Sequence, residues 1–177
     1  MNIEEITQWA KEFTMQDGGH APTLFLETDK PEMLIAHLAG MPATPEERLS
    51  AFINAGRDLG MAHRGEKLVE LAFISMNWAT MTPVGQPLKT LPSKAPNRKE
   101  LLTIRHIKLA DSGMEYNNYI YEVLRTKKSK KVDLVAFPAE IVQAKDYLLF
   151  GLITAYQNPL LTNAQIMQII HDEQGPQ

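Results

Sequence analysis

The sequence predicts an α+β domain in which a mainly antiparallel sheet, built from a hairpin and a meander, packs against helices. Three observations predict this class. Apolar residues recur at helical spacing in some segments and at alternating or continuous positions in others, in the order α-β-β-α-β-β-β-β-α-α. Short turn sequences connect successive predicted strands, which favours hairpins over parallel crossovers. The length of 177 residues suits a single domain, placed here over residues 1–177.

The first helix and the hairpin have clear boundary signals. Asn2 and Glu5 stand at capping positions ahead of an amphipathic helix. Gly18-Gly19 supplies the backbone freedom that a helix end requires. Two short apolar segments, 22–27 and 33–38, are separated by turn residues and predict the two strands of the hairpin.

The second helix is marked by Thr44-Pro45-Glu46-Glu47, which combines an N-cap threonine, a first-turn proline and a capping-box glutamate. Gly56 and Gly60 fall on or near its buried stripe, so we expect close approach to a strand there. Residues 68–80, LVELAFISMNWAT, are a long apolar run rich in β-formers. They predict a central strand covered on both faces.

A proline-rich loop is expected at 82–99, because its repeated prolines prevent continuous ladder bonding. Three strands at 101–109, 115–124 and 132–137 then predict the meander. A helix follows from about residue 139 to residue 156.

The last residues, 158–177, are predicted to form a C-terminal helical appendage. Asn158-Pro159 ends the preceding helix. Thr162 and Gln165 have the spacing of a capping box for a short final helix.

The composition limits the classes of protein to consider. With 44% hydrophobic and 22% charged residues, the chain has the balance of an ordinary folded, soluble protein. The absence of cysteine excludes disulfides and thiolate chemistry and favours a cytoplasmic location. No apolar run approaches the ~20 residues of a membrane span. The acidic start MNIEEITQWAKEF is not typical of a secretory signal.

The loop MQDGGHAPT contains the first candidate for chemistry, the pair Asp17 and His20. A carboxylate beside an imidazole orients the ring and favours its protonated form, which is the arrangement of a general base. The intervening glycines could let the two side chains meet. The alternative is that Asp17 and the glycines only end the helix, while His20 bonds a loop carbonyl.

The histidines show no metal-binding spacing, since none of the five lies in an H-x-H or H-E-x-x-H pattern. A site could still assemble around the hairpin from His20, Glu27 and His37. The simpler interpretation is separate, hydrogen-bonded histidines. Phosphate-loop and nucleophile-elbow motifs are also absent from the sequence, so we predict no metal and no cofactor.

A basic cluster precedes the last predicted strand. Tyr119 and Tyr121 should share one face of the strand before it, with Tyr116 opposite, and could stack against a polyanion. The alternative is a solvated turn that protects a sheet edge. The net charge of −3 argues against nucleic acid as the partner. The cluster consists of Arg125, Lys127, Lys128, Lys130 and Lys131.

An apolar groove for a ligand or partner could form from Met76, Trp78 and Met81 together with the proline-rich loop. Methionine and aromatic side chains suit adaptable binding surfaces. At strand spacing the same residues are also typical of a core, and the sequence leaves both interpretations open.

The stretches DGGHAPTLFLE, TPEERLSAFINAGRDLG and ELAFISMNWAT resemble a group of small uncharacterised bacterial proteins. Those proteins have a D-G-x-H-x-P turn before a strand, followed by a capped helix. The resemblance covers residues 17–80. It implies no particular activity, but it makes the His20 loop a candidate functional site.

The leading functional hypothesis is a bacterial, cytoplasmic binding or interaction module for a protein partner or a small ligand. A homodimer is expected, because a meander leaves sheet edges that a second copy can cover. The alternative hypothesis is a metal-assisted or acid/base hydrolase with Asp17, His20, Glu27 and His37 in one cleft. The sequence leaves open whether the chain is an enzyme.

Overall fold

The computed structural model describes residues 1–30, 32–38, 40–80, 92–126, 132–137 and 146–174. The helices in these ranges are α1 (Ile3–Asp17), α2 (Pro45–Ala62), α3 (Tyr147–Gln157) and α4 (Asn163–Gln174). The strands are β1 (Thr23–Thr28), β2 (Met33–His37), β3 (Leu68–Ala79), β4 (Lys99–Ala110), β5 (Gly113–Arg125) and β6 (Val132–Ala136). They form one six-stranded sheet in the order β2-β1-β3-β4-β5-β6, with every neighbouring pair antiparallel. The predicted α+β class is confirmed.

Helix α1 lies on one side of the sheet. Its inward residues Ile6 and Ala10 are buried with Phe25 of β1, Ile74 of β3 and Ile104 of β4. Residues at alternate positions of a strand point to the same face, so this set defines the α1 side of the sheet.

The second side of the sheet is covered by α2 and α3. Phe52 of α2 meets Phe73 of β3 edge to face, with ring centroids 5.1 Å apart. Leu149 and Leu152 of α3 are fully buried in the same cluster. Because both faces of β1 and β3 are covered at their centres, the residues there form continuous buried apolar runs, Leu24–Leu26 and Leu71–Ile74.

The two glycines of α2 approach a helix, so the expectation that they approach a strand is wrong. A Cβ atom added at Gly56 would lie 2.2 Å from the carbonyl oxygen of Leu152 in α3. One added at Gly60 would lie 2.3 Å from the carbonyl oxygen of Tyr156. The absence of side chains at these positions lets the backbones of α2 and α3 pack in contact.

Helix α3 begins later than the sequence predicts. Asp146 has an extended backbone, and its side chain accepts hydrogen bonds from the N–H groups of Leu148 and Leu149. It is therefore the N-cap, and the helix starts at Tyr147. The predicted first turns, residues 139–145, lie outside the described residues.

The capping boxes predicted at α2 and α4 are both present. Thr44 and Glu47 exchange side-chain and backbone hydrogen bonds at the start of α2. Thr162 and Gln165 do the same at the start of α4. Among the described helices, none is both long and apolar enough to cross a membrane.

The structure describes parts of the proline-rich loop predicted at 82–99 and of the C-terminal helical appendage predicted at 158–177. Of the proline-rich loop, 81–91 lies outside the described residues, Pro92–Lys94 is a short 3-10 helix, and β4 begins at Lys99. In the predicted C-terminal appendage, Ile166 and Ile170 of α4 are buried against α2 and α3. Helix α4 therefore forms part of the helical layer.

Replacing Gly56 or Gly60 by alanine should destabilise the fold by about 1–3 kcal/mol, because the new methyl group must push α2 away from α3. Urea unfolding of the two variants measures the change in the free energy of unfolding. Gly19→Ala is the matched control, since an added Cβ there meets nothing within 4 Å. Unchanged stability in Gly56→Ala and Gly60→Ala would show that the helices are not in backbone contact.

Candidate functional site

A cleft of about 730 Å³ lies on the α2–α3 side of the sheet. Its floor consists of β3, β4 and β5, and its rim is formed by the first turns of α2 and α3. The volume falls in the range of about 300–1,000 Å³ that is typical of small-molecule sites. The size and position of this cleft make it the leading candidate site among the described residues.

A polar cluster occupies the floor of the cleft at β3 and β4. Ser75 and Thr103 are directly opposite each other across the strands, and their hydroxyl oxygens lie 3.0 Å apart. The amide nitrogen of Asn77 donates to both hydroxyl oxygens, at 2.9 Å each. Because this nitrogen already has two acceptors, the side-chain oxygen of Asn77 remains as the group that can accept from a ligand.

A charged pair stands at the α3 end of the cleft. The guanidinium Nη1 of Arg105 donates to Oδ2 of Asp146 at 2.5 Å. Asp146 also caps α3, so the arginine is fixed between β4 and the start of that helix. In the described part of the chain this is the one hydrogen bond recorded for the Arg105 side chain, so other N–H groups can donate to a ligand.

Apolar side chains form the remaining walls of the cleft. The strands contribute Leu101, Ile107 and Ile120 to these walls, and α3 contributes Leu148 and Leu149. An apolar enclosure with a few convergent polar groups is the usual composition of an organic-ligand site.

Asp17 and His20 are not joined by a hydrogen bond or an ion pair in the described structure. Asp17 is the last residue of α1, and Nδ1 of His20 lies 2.6 Å from the carbonyl oxygen of Ala21. Nδ1 therefore donates to a loop carbonyl, as in the simpler interpretation of the sequence. The ring is buried beside Trp9 and Phe13, with centroid distances of 5.2 and 5.4 Å.

Burial lowers the pKa of the His20 imidazole, and the neighbouring His37 adds to this effect. The hydrogen bond to Ala21 acts in the opposite direction and is outweighed. Within the described residues, Nε2 of His20 is buried without a hydrogen-bond partner. The environment therefore favours a neutral ring and does not supply the carboxylate that the general-base hypothesis needs.

The three candidate metal ligands do not converge. Nδ1 of His37 lies 3.0 Å from the hydroxyl of Thr23, which places this ring near His20 at the start of β1. Glu27 lies toward the other end of β1, where it pairs with the amino group of Met1. No group of three histidine or acidic residues in the described ranges is arranged to hold a metal ion. The hydrolase hypothesis stays an untested prediction without a described site.

Met76 and Trp78 lie on the α1 side of the sheet, opposite to the cleft. Met76 packs against the α1 cluster, and its sulfur accepts a hydrogen bond from the backbone N–H of His20 at 3.0 Å. Trp78 is 43% exposed, and the guanidinium carbon of Arg98 lies 4.8 Å from its ring centroid. Met81, the third residue of the predicted groove, lies outside the described residues.

Arg125 is the one described member of the predicted basic cluster, since Lys127, Lys128, Lys130 and Lys131 lie outside the described residues. Its guanidinium makes two hydrogen bonds to Glu100, at 2.6 and 2.7 Å, and one to the carbonyl oxygen of Gly18. These contacts tie the end of α1 to β4, which is a structural role.

As predicted, Tyr119 and Tyr121 lie on one side of the sheet and Tyr116 on the other.

Sequence reasoning missed the residues of the cleft. Four polar residues of the lining share one face of β3, β4 and β5, namely Asn77, Thr103, Arg105 and Asn118, and Ser75 of β3 bonds the first two of them. The two-residue spacing of these polar side chains within β3 and within β4 could have indicated a polar floor on one face. Whether a helix covers that face or leaves it open as a cleft depends on tertiary packing, which the local sequence does not reveal.

Comparisons with known proteins returned no match. No protein-family model matches the chain. No curated protein and no solved structure matches it either. The resemblance of residues 17–80 to small bacterial proteins therefore stays a prediction, and function is inferred from the geometry of the site.

The lowered pKa of His20 predicts a specific pH dependence of stability. The unfolded chain titrates near the usual value of about 6.5, whereas the folded chain binds that proton only at lower pH. Above the pKa of the unfolded chain, His20 therefore adds no pH dependence to the stability. As the pH falls from the unfolded-state pKa through the folded-state pKa, the free energy of unfolding decreases.

Urea unfolding of the wild type and of His20→Gln between pH 8 and pH 5 tests this expectation. The variant keeps a polar side chain that does not titrate, so the wild type should lose more stability than the variant on acidification. Parallel curves for the two proteins would show that the His20 pKa is not lowered.

Proposed function

We propose that this protein is a binding module that holds a small amphipathic organic molecule in the cleft between the sheet and the first turns of α2 and α3. The observation that carries the proposal is the combination of an apolar enclosure with the polar groups of Asn77, Thr103 and Arg105 on one floor. This is the small-ligand form of the binding hypothesis that the sequence favours.

The polar groups indicate the chemistry of the ligand. The N–H groups of Arg105 that bond no described residue suit a carboxylate or a carbonyl oxygen, since an arginine fork matches such acceptors. The nearby carboxylate of Asp146 offsets the charge of the arginine, so a ligand with at most one negative charge is favoured. The walls formed by Leu101, Ile107 and Ile120 suit an aryl or short alkyl body.

We also propose that the protein acts as a homodimer in the bacterial cytoplasm. The absence of cysteine supports a reducing compartment, and the resemblance of residues 17–80 supports a bacterial origin. The edge strand β2, which lies at one end of the described sheet, supports association with a second copy.

A titration with 4-phenylbutyrate, followed by ¹H–¹⁵N NMR, tests the ligand proposal. We expect shifts in the amide signals of Asn77 and Asn118 and in the side-chain signals of Arg105. Ile120→Trp should weaken the binding by about tenfold or more, because the larger side chain fills the cleft. Trp78→Ala on the opposite face is the control and should leave the affinity unchanged.

Two results would contradict the ligand proposal. One is the absence of saturable shifts at millimolar probe. The other is a set of shifts that follows Trp78 and Met76 and is lost in Trp78→Ala, because the binding surface would then be the groove on the α1 side.

Arg105 should determine which head group the cleft prefers. In the wild type, 4-phenylbutyrate should bind more tightly than its amide, 4-phenylbutyramide, because the carboxylate gains a charge-assisted hydrogen bond. Arg105→Gln should reduce this preference to about one, while the amide retains its affinity. Titrations of both probes with both proteins measure the ratio, and an unchanged ratio in the variant would remove Arg105 from the site.

A further inference from the structure

We propose that the outer edge of β2 is the surface on which two copies of this chain associate, by antiparallel pairing of β2 with β2 of a second copy. This interface deepens the proposed homodimer and rests on it, and it is independent of ligand binding in the cleft.

On its outer side, the backbone of β2 has hydrogen-bonding groups that pair with no other described strand. The N–H of Leu38 donates to the carbonyl oxygen of Pro22, so this position faces β1. In an antiparallel ladder the backbone groups of successive residues point alternately to the two sides. Met33, Ile35 and His37 therefore direct their N–H and C=O groups away from β1, at the edge of the sheet.

The same strand is held in a fixed register by its other residues. Leu34 and Ala36 point to the α2–α3 side, where they pack against the main core cluster. This anchoring keeps the outer backbone groups in line, so that pairing requires little further ordering of the strand.

The exposed side chains of β2 are apolar. Met33 and Ile35 are 47% and 53% exposed, and they lie on the α1 side of the sheet. Ile35 is directly opposite Phe25 of β1, whose ring lies 5.6 Å from that of Trp9 on α1. Since Trp9 is itself 40% exposed, an apolar strip runs from the helix to the edge of the sheet. A second copy would cover this strip as it pairs with the strand.

A second copy is the occupant that the strand itself favours. In a twofold antiparallel pair, all five residues of β2 find partners when Ile35 lies opposite Ile35 of the second copy, and Met33 then faces His37. The segment MLIAH has no charged residue other than a histidine, and His37 is tied to Thr23. Self-pairing therefore brings no like charges together.

The other edge strand of the described sheet, β6, has charged residues in and beside it. Strand β6 contains Asp133 and follows the sequence KKSKK at 127–131. Charged residues, and lysines especially, are the usual protection of an edge strand against pairing. The contrast assigns the dimer contact to β2 and leaves β6 as the protected edge.

The test is the oligomeric state of the full chain, measured by sedimentation velocity from micromolar to millimolar concentration. The wild type should be a dimer that dissociates on dilution. Ile35→Lys should raise the dissociation constant by about tenfold or more, because two lysines would face each other at the twofold axis. Val135→Lys on β6 is the matched control, since Val135 is 52% exposed on the opposite edge strand and should leave the dimer intact.

Amide hydrogen exchange of the wild type provides a second readout that needs no variant. The amides of Met33, Ile35 and His37 should exchange slowly in the dimer and rapidly after dilution, while that of Leu134 in β6 stays unchanged. A wild type that remains monomeric at every concentration overturns the proposal, as does a dimer that resists Ile35→Lys or is broken by Val135→Lys. Binding of 4-phenylbutyrate by a monomer would separate this failure from that of the ligand proposal.

Discussion

The packing of helices on the two faces of the central strands determines where the sheet is buried and where it is open. Strands β3 and β4 pair from Glu70 opposite Lys108 to Ala79 opposite Lys99, and their side chains alternate between the two sides of the sheet. Helix α1 covers one side. On the other side, α2 and α3 cover the half that contains Phe73 and Leu71. The remaining half of that face is where the cleft lies.

The close packing of α2 on α3 helps to place the cleft. Gly56 lies against Leu152 and Gly60 lies against Tyr156, so α2 and α3 run in the same direction and both place their first turns at the same end of the sheet. Asp146 then has two roles, since it caps α3 and holds Arg105 over the floor. The side chain that begins α3 therefore also positions the guanidinium of Arg105 in the cleft. Ligand binding in the cleft and pairing at β2 use different surfaces, so neither excludes the other.

Local signals explain why much of the fold could be predicted from the sequence. The capping boxes at Thr44 and Thr162 and the apolar runs of the strands depend on neighbouring residues only. The partner of Gly56 could not be predicted, because a small residue on a buried stripe permits close approach of either a strand or a helix. The start of α3 was predicted too early because the sequence before Asp146 has helical composition, whereas the cap is set by the side-chain geometry of Asp146.

The candidate site was less predictable than the fold. The His20 loop attracted attention because histidine, aspartate and glycine occur together, yet the ring bonds the carbonyl of Ala21 and is buried among aromatic rings. The polar floor is assembled from three strands that are distant in sequence, so no local motif marks it. A crystal structure of the protein with bound 4-phenylbutyrate would show where the ligand lies. We expect the carboxylate beside Arg105 and the aryl group against Ile120; a probe bound beside Trp78, or a cleft closed by protein side chains, would show that the cleft is not the binding site.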